Sequence, residues 1–512
     1  MPKEQTQIPQ KDISPDPFEE INYDIEKMQE EHISKFENFP KIPQGFFQHY
    51  SDYGKTCDYA YDPYHFAASL SLVCSAIGRD VCMRSKNATI FPNVFVAMLG
   101  PTSISGKSTV CDRAADFYRN SVVNVSPIDP IDPAKIHLRK LYNLLVKKTT
   151  PQGLIQALCN TPNTLWYYDE CSEFLKDSQT NWGSALSENL LTAYGCGPIS
   201  YTMANSKSHQ SRYYAENPHL TCLWNTTIAN ATQSLAAGNA TSGFIHRFMW
   251  FICYRPNPTR INERKTSDDK MNDKKITDAL LNVSKLLDDL SMKPGALSEC
   301  LIMPKYNSAE NQKEGRVEAI IQCPPDPIIE NWKLNCDRTH MKLDQEAYRV
   351  GTARLFGQAY KIALATTMMD LSIQDSLRCE EVFPIELKIP EIYSTFAVDV
   401  CDNYLRPRLD YVIGLAEYNE DKGVQEKILR FLNKEHGVAS VSKILAKTHI
   451  KSKDLTEALE TMNNTHIDSA GLIQVVLGKK DGRGRRPQIV LLLKEGQELD
   501  TDKYDKLTLS GA

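Results

Sequence analysis

Lys107, Ser108 and Thr109 follow Gly106 in the stretch VFVAMLGPTSISGKSTV, residues 94–110. Residues of these types in this order can hold the phosphates of a nucleotide. Successive backbone N–H groups and a helix start surround the phosphate oxygens, the ammonium reaches the terminal phosphates, and the hydroxyl binds Mg2+. The first glycine, Gly100, stands one place earlier than the usual G-x-x-x-x-G-K-[ST] spacing, and Pro101 takes its place. Pro101 removes a single donor at the loop entrance. Either the loop is one residue longer between Gly100 and Gly106, or Gly100 turns the chain one step earlier; Ser105, Gly106, Lys107, Ser108 and Thr109 are expected to surround the nucleotide, and Ser108 to face the metal.

Such a loop needs carboxylates on a second strand. The stretch NTLWYYDECSEF, residues 163–174, ends an apolar run at Asp169 and Glu170, about 60 residues after the loop. Asp169 is expected beside Mg2+, directly or through water, and Glu170 against the attacking water. HLTCLWNTT turns polar at Asn225, Thr226 and Thr227, whose side chains can sense the γ-phosphate or orient water or, equally, cap the next helix. Arg247 precedes the apolar run 248–253. An arginine there is a candidate finger for a neighbouring subunit's nucleotide, the alternative being a surface ion pair. Arg255 is a weaker candidate for the same role.

These groups can converge only if a sheet and its crossovers bring them together. NVFVAMLG is a short, nearly continuous apolar run between Pro92 and Gly100, as a strand covered on both faces would be. GKSTVCDRAADFYRN then begins a helix, so strand, glycine-bearing loop and helix follow in the order the phosphate chemistry requires. Upstream, PYHFAASLSLVCSAIGRDV has the apolar density of a buried helix stopping at Gly78. At 512 residues and 57.9 kDa, with 41% hydrophobic and 24% charged residues, the chain can bury a large core. No run approaches the roughly 18 apolar residues that span a bilayer, and the first residues lack a leader pattern, so a cytoplasmic location is expected. The fourteen cysteines are scattered singly, which predicts reduced packing residues.

A net charge of −5 conceals an asymmetry. Residues 1–40 hold ten acids against four bases, and residues 423–494 hold thirteen bases against seven acids. A polyanion partner is therefore expected towards the C-terminus. VQEKILRFLNKEHG, ASVSKILAKTH and KSKDLTEALETMNNT read as three helices, followed by two apolar strands around a basic tip. This order predicts a winged helix-turn-helix domain, its third helix in the major groove of DNA and its wing on the adjacent backbone. Lys451 and Lys453 open that helix, and Lys479, Lys480, Arg483, Arg485 and Arg486 crowd eight residues of the tip. Such bases bind mostly phosphate. Residues 195–218 hold Lys207, His209 and Arg212 with Tyr213 and Tyr214. They are either a hairpin touching nucleic acid in a central channel or a plain surface hairpin.

The order of AIGRDV, NVFVAMLGPTSISGKST, PQGLIQALCNTPNTLWYYDE, NPHLTCLWNTT, SGFIHRFMWF and ARLFGQAYKIALATTMMDL makes residues 43–371 resemble a family of P-loop ATPases. Members are carried by phages, plasmids and integrated elements, are associated with primases, and are described as helicase-like. The resemblance implies an α/β P-loop NTPase core, RecA-like or AAA+-like, with a parallel sheet flanked by helices. It also implies ATP and Mg2+ as cofactors, ATP hydrolysis, and a role in replicating a mobile element. It carries Lys107 and Ser108 to phosphate and metal, Asp169 and Glu170 to metal and water, and Arg247 to the finger.

The expected domains are an acidic, largely disordered arm over 1–40, the helical N-terminal part of the ATPase module over 41–90, and the core over 91–256. A charged connector and mainly α-helical lid follow over 257–415, then the winged helix over 420–495 and a flexible tail over 496–512. Expected partners are DNA, further copies of the chain in a ring such as a hexamer, and a primase, with no membrane. The leading reading is a replicative helicase-like ATPase. The alternatives are an initiator ATPase without processive unwinding and a nucleotide-gated DNA-binding regulator with little hydrolysis.

Overall fold

The structure, a computed structural model, describes residues 39–102, 104–124, 142–146, 148–177, 181–203, 211–235, 243–254, 269–291, 293, 319–340, 346–434, 438–448, 450–464, 473–477 and 488–492. Residues 1–38 of the expected arm, residues 256–268 of the connector and the C-terminal tail lie outside these residues, and 269–275 of the connector open the helix Asp269–Ser291. The chain divides into two compact units, Met1–Ser234 with Thr241–Val412, and Leu235–Ala240 with Ile413–Ala512.

The first unit carries β1 (Val81–Arg84), β2 (Thr89–Ile90), β3 (Phe95–Leu99), β4 (Tyr142–Val146), β5 (Asn163–Asp169), β6 (Ile199–Met203), β7 (Ser211–Ala215), β8 (His219–Thr226), β9 (Phe248–Ile252), β10 (Ile321–Cys323) and β11 (Ile385–Glu386). Its central sheet has the order β4-β5-β8-β3-β9, with every neighbouring pair parallel. All residues of β3, β8 and β9 are buried, which is why these segments read as unbroken apolar runs rather than as alternating ones. Parallel pairing puts the C-terminal ends of the strands along one edge, where Leu99 is level with Thr226 and Asp169 with Asn225.

Helices cover this sheet. The helix Asp62–Ile77 has Pro63 in its first turn and is stopped by Gly78 at φ 64°, whose N–H donates to Cys74 O at 3.2 Å. It is buried nearly all round, because it packs against β3, β5 and β8 as well as the helices Lys107–Tyr118 and Glu346–Met368. A second, smaller sheet of order β11-β10-β1-β2 ties residues 81–84 to residues 321–323 through the parallel β1–β10 pair. Consequently the expected piece 41–90 and most of 91–256 and of 257–415 fall within one compact unit. Local periodicity could not register pairings across such separations.

The cysteines behave as packing residues: most of those described are buried, and none forms a disulfide. Burial pushes the thiol of Cys111, on the buried face of the helix Lys107–Tyr118, up to about 12. No described helix is long and apolar enough to cross a membrane.

The second unit has a C-terminal segment of the helix Arg406–Lys434, then β12 (Val438–Ser440), the helices Val441–Thr448 and Ser452–Asn464, and the hairpin of β13 (Ile473–Leu477) and β14 (Gln488–Leu492). Its three strands form an antiparallel sheet of order β12-β14-β13. Ile428, Leu432, Ile444, Leu455, Leu459 and Val490 share one apolar core. Sequence reading found the three helices and the hairpin but missed β12, whose three residues are too few to show a period. The basic tip, with Lys479, Lys480, Arg483, Arg485 and Arg486, lies outside the described residues.

Candidate nucleotide site

Gly100 follows β3 and the helix Lys107–Tyr118 begins seven residues later. The loop between them closes on itself through Ser105 Oγ, which donates to Pro101 O at 2.9 Å. Pro101 therefore contributes its carbonyl to the turn, and its missing N–H is not drawn upon. A side chain at Gly100 would meet Tyr64 Oη at 2.6 Å and Ser105 Oγ at 2.7 Å, so this glycine is set by close packing. Gly106 adopts φ 70°, and a Cβ there would stand 2.7 Å from Ala60 Cα. No side chain caps the helix that Gly106 opens, which leaves first-turn N–H groups for an anion.

A strap from an earlier part of the chain braces the loop. Tyr61 N donates to Ser105 O at 3.2 Å, and Ala60 lies against Gly106. Asp58 ion-pairs with Arg113 of the loop helix and accepts from Ala60 N at 2.9 Å. Sequence reading missed this strap, because DYAYD between two helices carries only the general signature of a turn.

Ser108 Oγ donates to Asp169 Oδ1 at 3.0 Å. Lys107 is buried, and burial lowers its pKa against the opposing pull of Glu170 and Asp169. A hydroxyl and a carboxylate at this separation are the hard oxygen donors that suit Mg2+. Among the described residues no cluster of His, Cys, Asp and Glu forms a metal cage. Ser108 and Asp169 are the residues that would hold such an ion.

Glu170 sits just past β5 in the left-handed region, at φ 58°. Its Oε1 accepts from Ser172 Oγ at 2.6 Å, from Asn230 Nδ2 at 3.1 Å and from Thr226 Oγ1. Burial pushes its pKa up, but these three donors and the Lys107 charge outweigh it and hold the carboxyl below its ordinary range. Glu170 is therefore an ionised acceptor fixed in direction, able to orient a water rather than a strong base. Thr226, expected to sense the γ-phosphate, orient water or cap the next helix, donates to Glu170. Asn225 is buried between Met98 and Asp169 in register, beside the Cys111 thiol. Ser172 and Asn230 were not anticipated, although the polar run NTTIAN offered a signal. Thr109 is exposed on the first helical turn.

Arg247 stands elsewhere. It precedes β9 at the level of Phe95, the N-terminal end of β3, whereas the loop leaves the sheet beyond Leu99 and Ile252. Five residues of strand, about 16 Å at ~3.3 Å per residue, separate the two edges. Arg247 Nη1 donates to Gly243 O at 2.6 Å, and its guanidinium lies 5.9 Å from the Tyr194 ring centre. Arg255 lies outside the described residues.

Of the residues expected to meet nucleic acid, Arg212 lies on β7 opposite Thr202. Lys207 and His209 lie outside the described residues. Tyr214 is 47% exposed. Lys451 and Lys453 are exposed at the start of the helix Ser452–Asn464, with Lys453 Nζ 3.6 Å from Glu457 Oε1.

Fold and site together define a mixed α/β protein whose parallel sheet is flanked by helices and is compatible with a P-loop nucleotide-binding core. No protein-family model matches the chain, and no curated protein matches it in sequence. Among solved structures it is similar to one described as "SCCmec type IV Cch - active helicase", at 13% identity over 90% of this chain and 72% of that one. The TM-score is 0.32, at which the likeness carries no argument about fold or function.

Proposed function

We propose that the chain is an ATPase that works on DNA as a helicase-like motor in the replication of a mobile element. The observation that carries the reading is the contact of Ser108 with Asp169 beside Lys107 and Glu170, at the C-terminal edge of a parallel sheet. Ligands of open α/β sheets bind at that edge.

In this reading the first-turn N–H groups and Lys107 bind the β- and γ-phosphates of ATP, and Ser108 and Asp169 hold Mg2+, which neutralises charge building on the phosphates. Glu170 accepts a hydrogen bond from the attacking water and aligns it. The water oxygen bonds to the γ-phosphorus as the bond to the bridging oxygen breaks, giving ADP and phosphate. The strap 58–61 keeps the loop shaped while phosphates come and go.

The second unit is proposed as a winged helix-turn-helix that binds DNA. Its order of helix, strand, two helices and hairpin supports this, and so do the exposed Lys451 and Lys453. Ring assembly and a primase partner belong to the same proposal.

The test is ATP hydrolysis by the full chain with and without DNA, beside strand displacement on a forked duplex. Hydrolysis stimulated by DNA and lost in Glu170→Gln supports the motor. Hydrolysis without displacement favours an initiator. Binding of ATP and DNA with no turnover, unchanged by Glu170→Gln, leaves only a nucleotide-gated regulator.

A further inference from the structure

One carboxylate, Asp58, holds three elements that converge on the phosphate loop. It ion-pairs with Arg113 of the helix Lys107–Tyr118, accepts from Ala60 N at 2.9 Å, and lies 3.5 Å from Nε2 of His65 on the helix Asp62–Ile77. Burial lowers the His65 pKa to about 4 against the pull of Asp58, so the imidazole is uncharged near neutral pH and Asp58 pairs with Arg113. Ala60 in turn lies against Gly106, and Tyr61 N donates to Ser105 O. Ser105 and Gly106 are the two residues before Lys107.

A fourth element reaches the same guanidinium. Tyr53, on the helix Phe46–Cys57, is buried, and its ring centre lies 5.8 Å from Arg113 Cζ. Its hydroxyl donates to Asp273 Oδ1 on the helix Asp269–Ser291. An acceptor on the phenol O–H enriches the ring in electron density and strengthens its hold on a cation. Asp273, Tyr53, Arg113, Asp58, Ala60 and Gly106 are therefore a continuous series of contacts from that helix to the loop.

Such a series does more than add stability. The attraction within a buried ion pair is largely offset by desolvation, whereas its geometry is fixed. Arg113 stands six residues after Lys107, about 9 Å at ~1.5 Å per residue, too far to touch the phosphates itself. It can act on them only through the angle of the helix whose uncapped first turn faces them, and misplacement by about 1 Å at such a site costs on the order of 100-fold.

We propose that Asp58 and Arg113 are positioning residues of the nucleotide site, and that Tyr53 and Asp273 make them answer to the helix Asp269–Ser291. The proposal rests on the ATPase reading and adds a route by which a helix outside the phosphate site sets affinity for phosphate.

The test is titration of the full chain with a fluorescent ATP analogue and Mg2+, beside steady-state ATP hydrolysis, each below the melting temperature of the variant. Asp58→Asn and Arg113→Met are each expected to weaken binding and raise KM about tenfold, with kcat at saturating ATP within about twofold, because bound phosphate then holds the loop itself. Arg113→Lys, which keeps the ion pair, is expected to recover most of the affinity. Tyr53→Phe and Asp273→Asn remove one shared hydrogen bond. Each is expected to weaken binding about threefold, and the two together no more than either alone.

A merely stabilising role would lower melting temperatures and leave affinity and KM at wild-type values, which overturns the inference. Tyr53→Phe and Asp273→Asn at wild-type affinity, or with losses that multiply, also overturn it, and these two mild changes carry the test if Asp58→Asn does not fold. In each of those cases a wild-type protein that binds and hydrolyses ATP leaves the ATPase reading standing. A wild-type protein that binds no nucleotide overturns both.

Discussion

Ser108 Oγ and Asp169 Oδ1 meet at 3.0 Å although the strands that lead to them, β3 and β5, are not neighbours. β8 lies between them, so the side chains close a backbone gap of roughly 10 Å, two strand spacings. The contact therefore depends on β8 being fully inserted. Ser108→Ala and Asp169→Asn are each expected to lower Mg2+-dependent ATP hydrolysis at least 100-fold. Asp169→Asn should bind ATP without Mg2+ as the wild type does, a comparison that fluorescent-nucleotide titration makes directly.

Glu170 and its three donors give a graded series. Glu170→Gln removes the charge proposed to align water and is expected to cut kcat by 100-fold or more while nucleotide affinity is kept. Asn230→Ala and Thr226→Val each leave Glu170 ionised but less fixed, and an effect of about 10-fold on kcat with unchanged KM is expected. An equal loss in KM would mean that these side chains hold nucleotide rather than Glu170.

Gly106 is doubly constrained, by φ 70° and by Ala60. Gly106→Ala is expected to cost about 1–3 kcal/mol, and Ala60→Gly in the same chain should return only the part due to crowding. Thermal melting of the single and double variants separates the two.

Burial lowers the Lys361 pKa to about 7, from an ordinary 10.5. Between those values the unfolded chain carries a proton that the folded chain lacks, so stability rises with pH above about 7, by at most about 1.4 kcal/mol per unit. Below about 7 both states are protonated and the cost of burying the charge is present in full. Lys361→Met is expected to flatten the slope between pH 7 and 8.5, below the range where thiols ionise. A slope that survives the substitution would point to another group.

In the second unit, Lys451→Ala and Lys453→Ala should each reduce the salt dependence of DNA binding by about one unit of log–log slope, uniformly across sequences. Leu455→Ala, which empties part of the apolar core, should cost about 2–4 kcal/mol and melt the unit without touching the nucleotide site.

The strand, loop and helix start around Gly106 were legible in the sequence because they are local. GKST after an apolar run and at a helix start needs only its own backbone to present N–H groups, ammonium and hydroxyl together, and DE at the end of 163–169 is equally local. The long buried helix and its stop at Gly78 were legible for the same reason. Strand order was not, since crossovers are decided by packing between residues far apart in the chain. That order determines that Thr226 and Asn230 reach Glu170, that residues 81–84 pair with 321–323, and that Arg247 stands at the edge away from its own loop. The strap at Ala60 and Tyr61 and the hydrogen bond from Gln358 to His246 O likewise exist only once separate helices are docked, because each joins groups that no spacing in one segment can bring together.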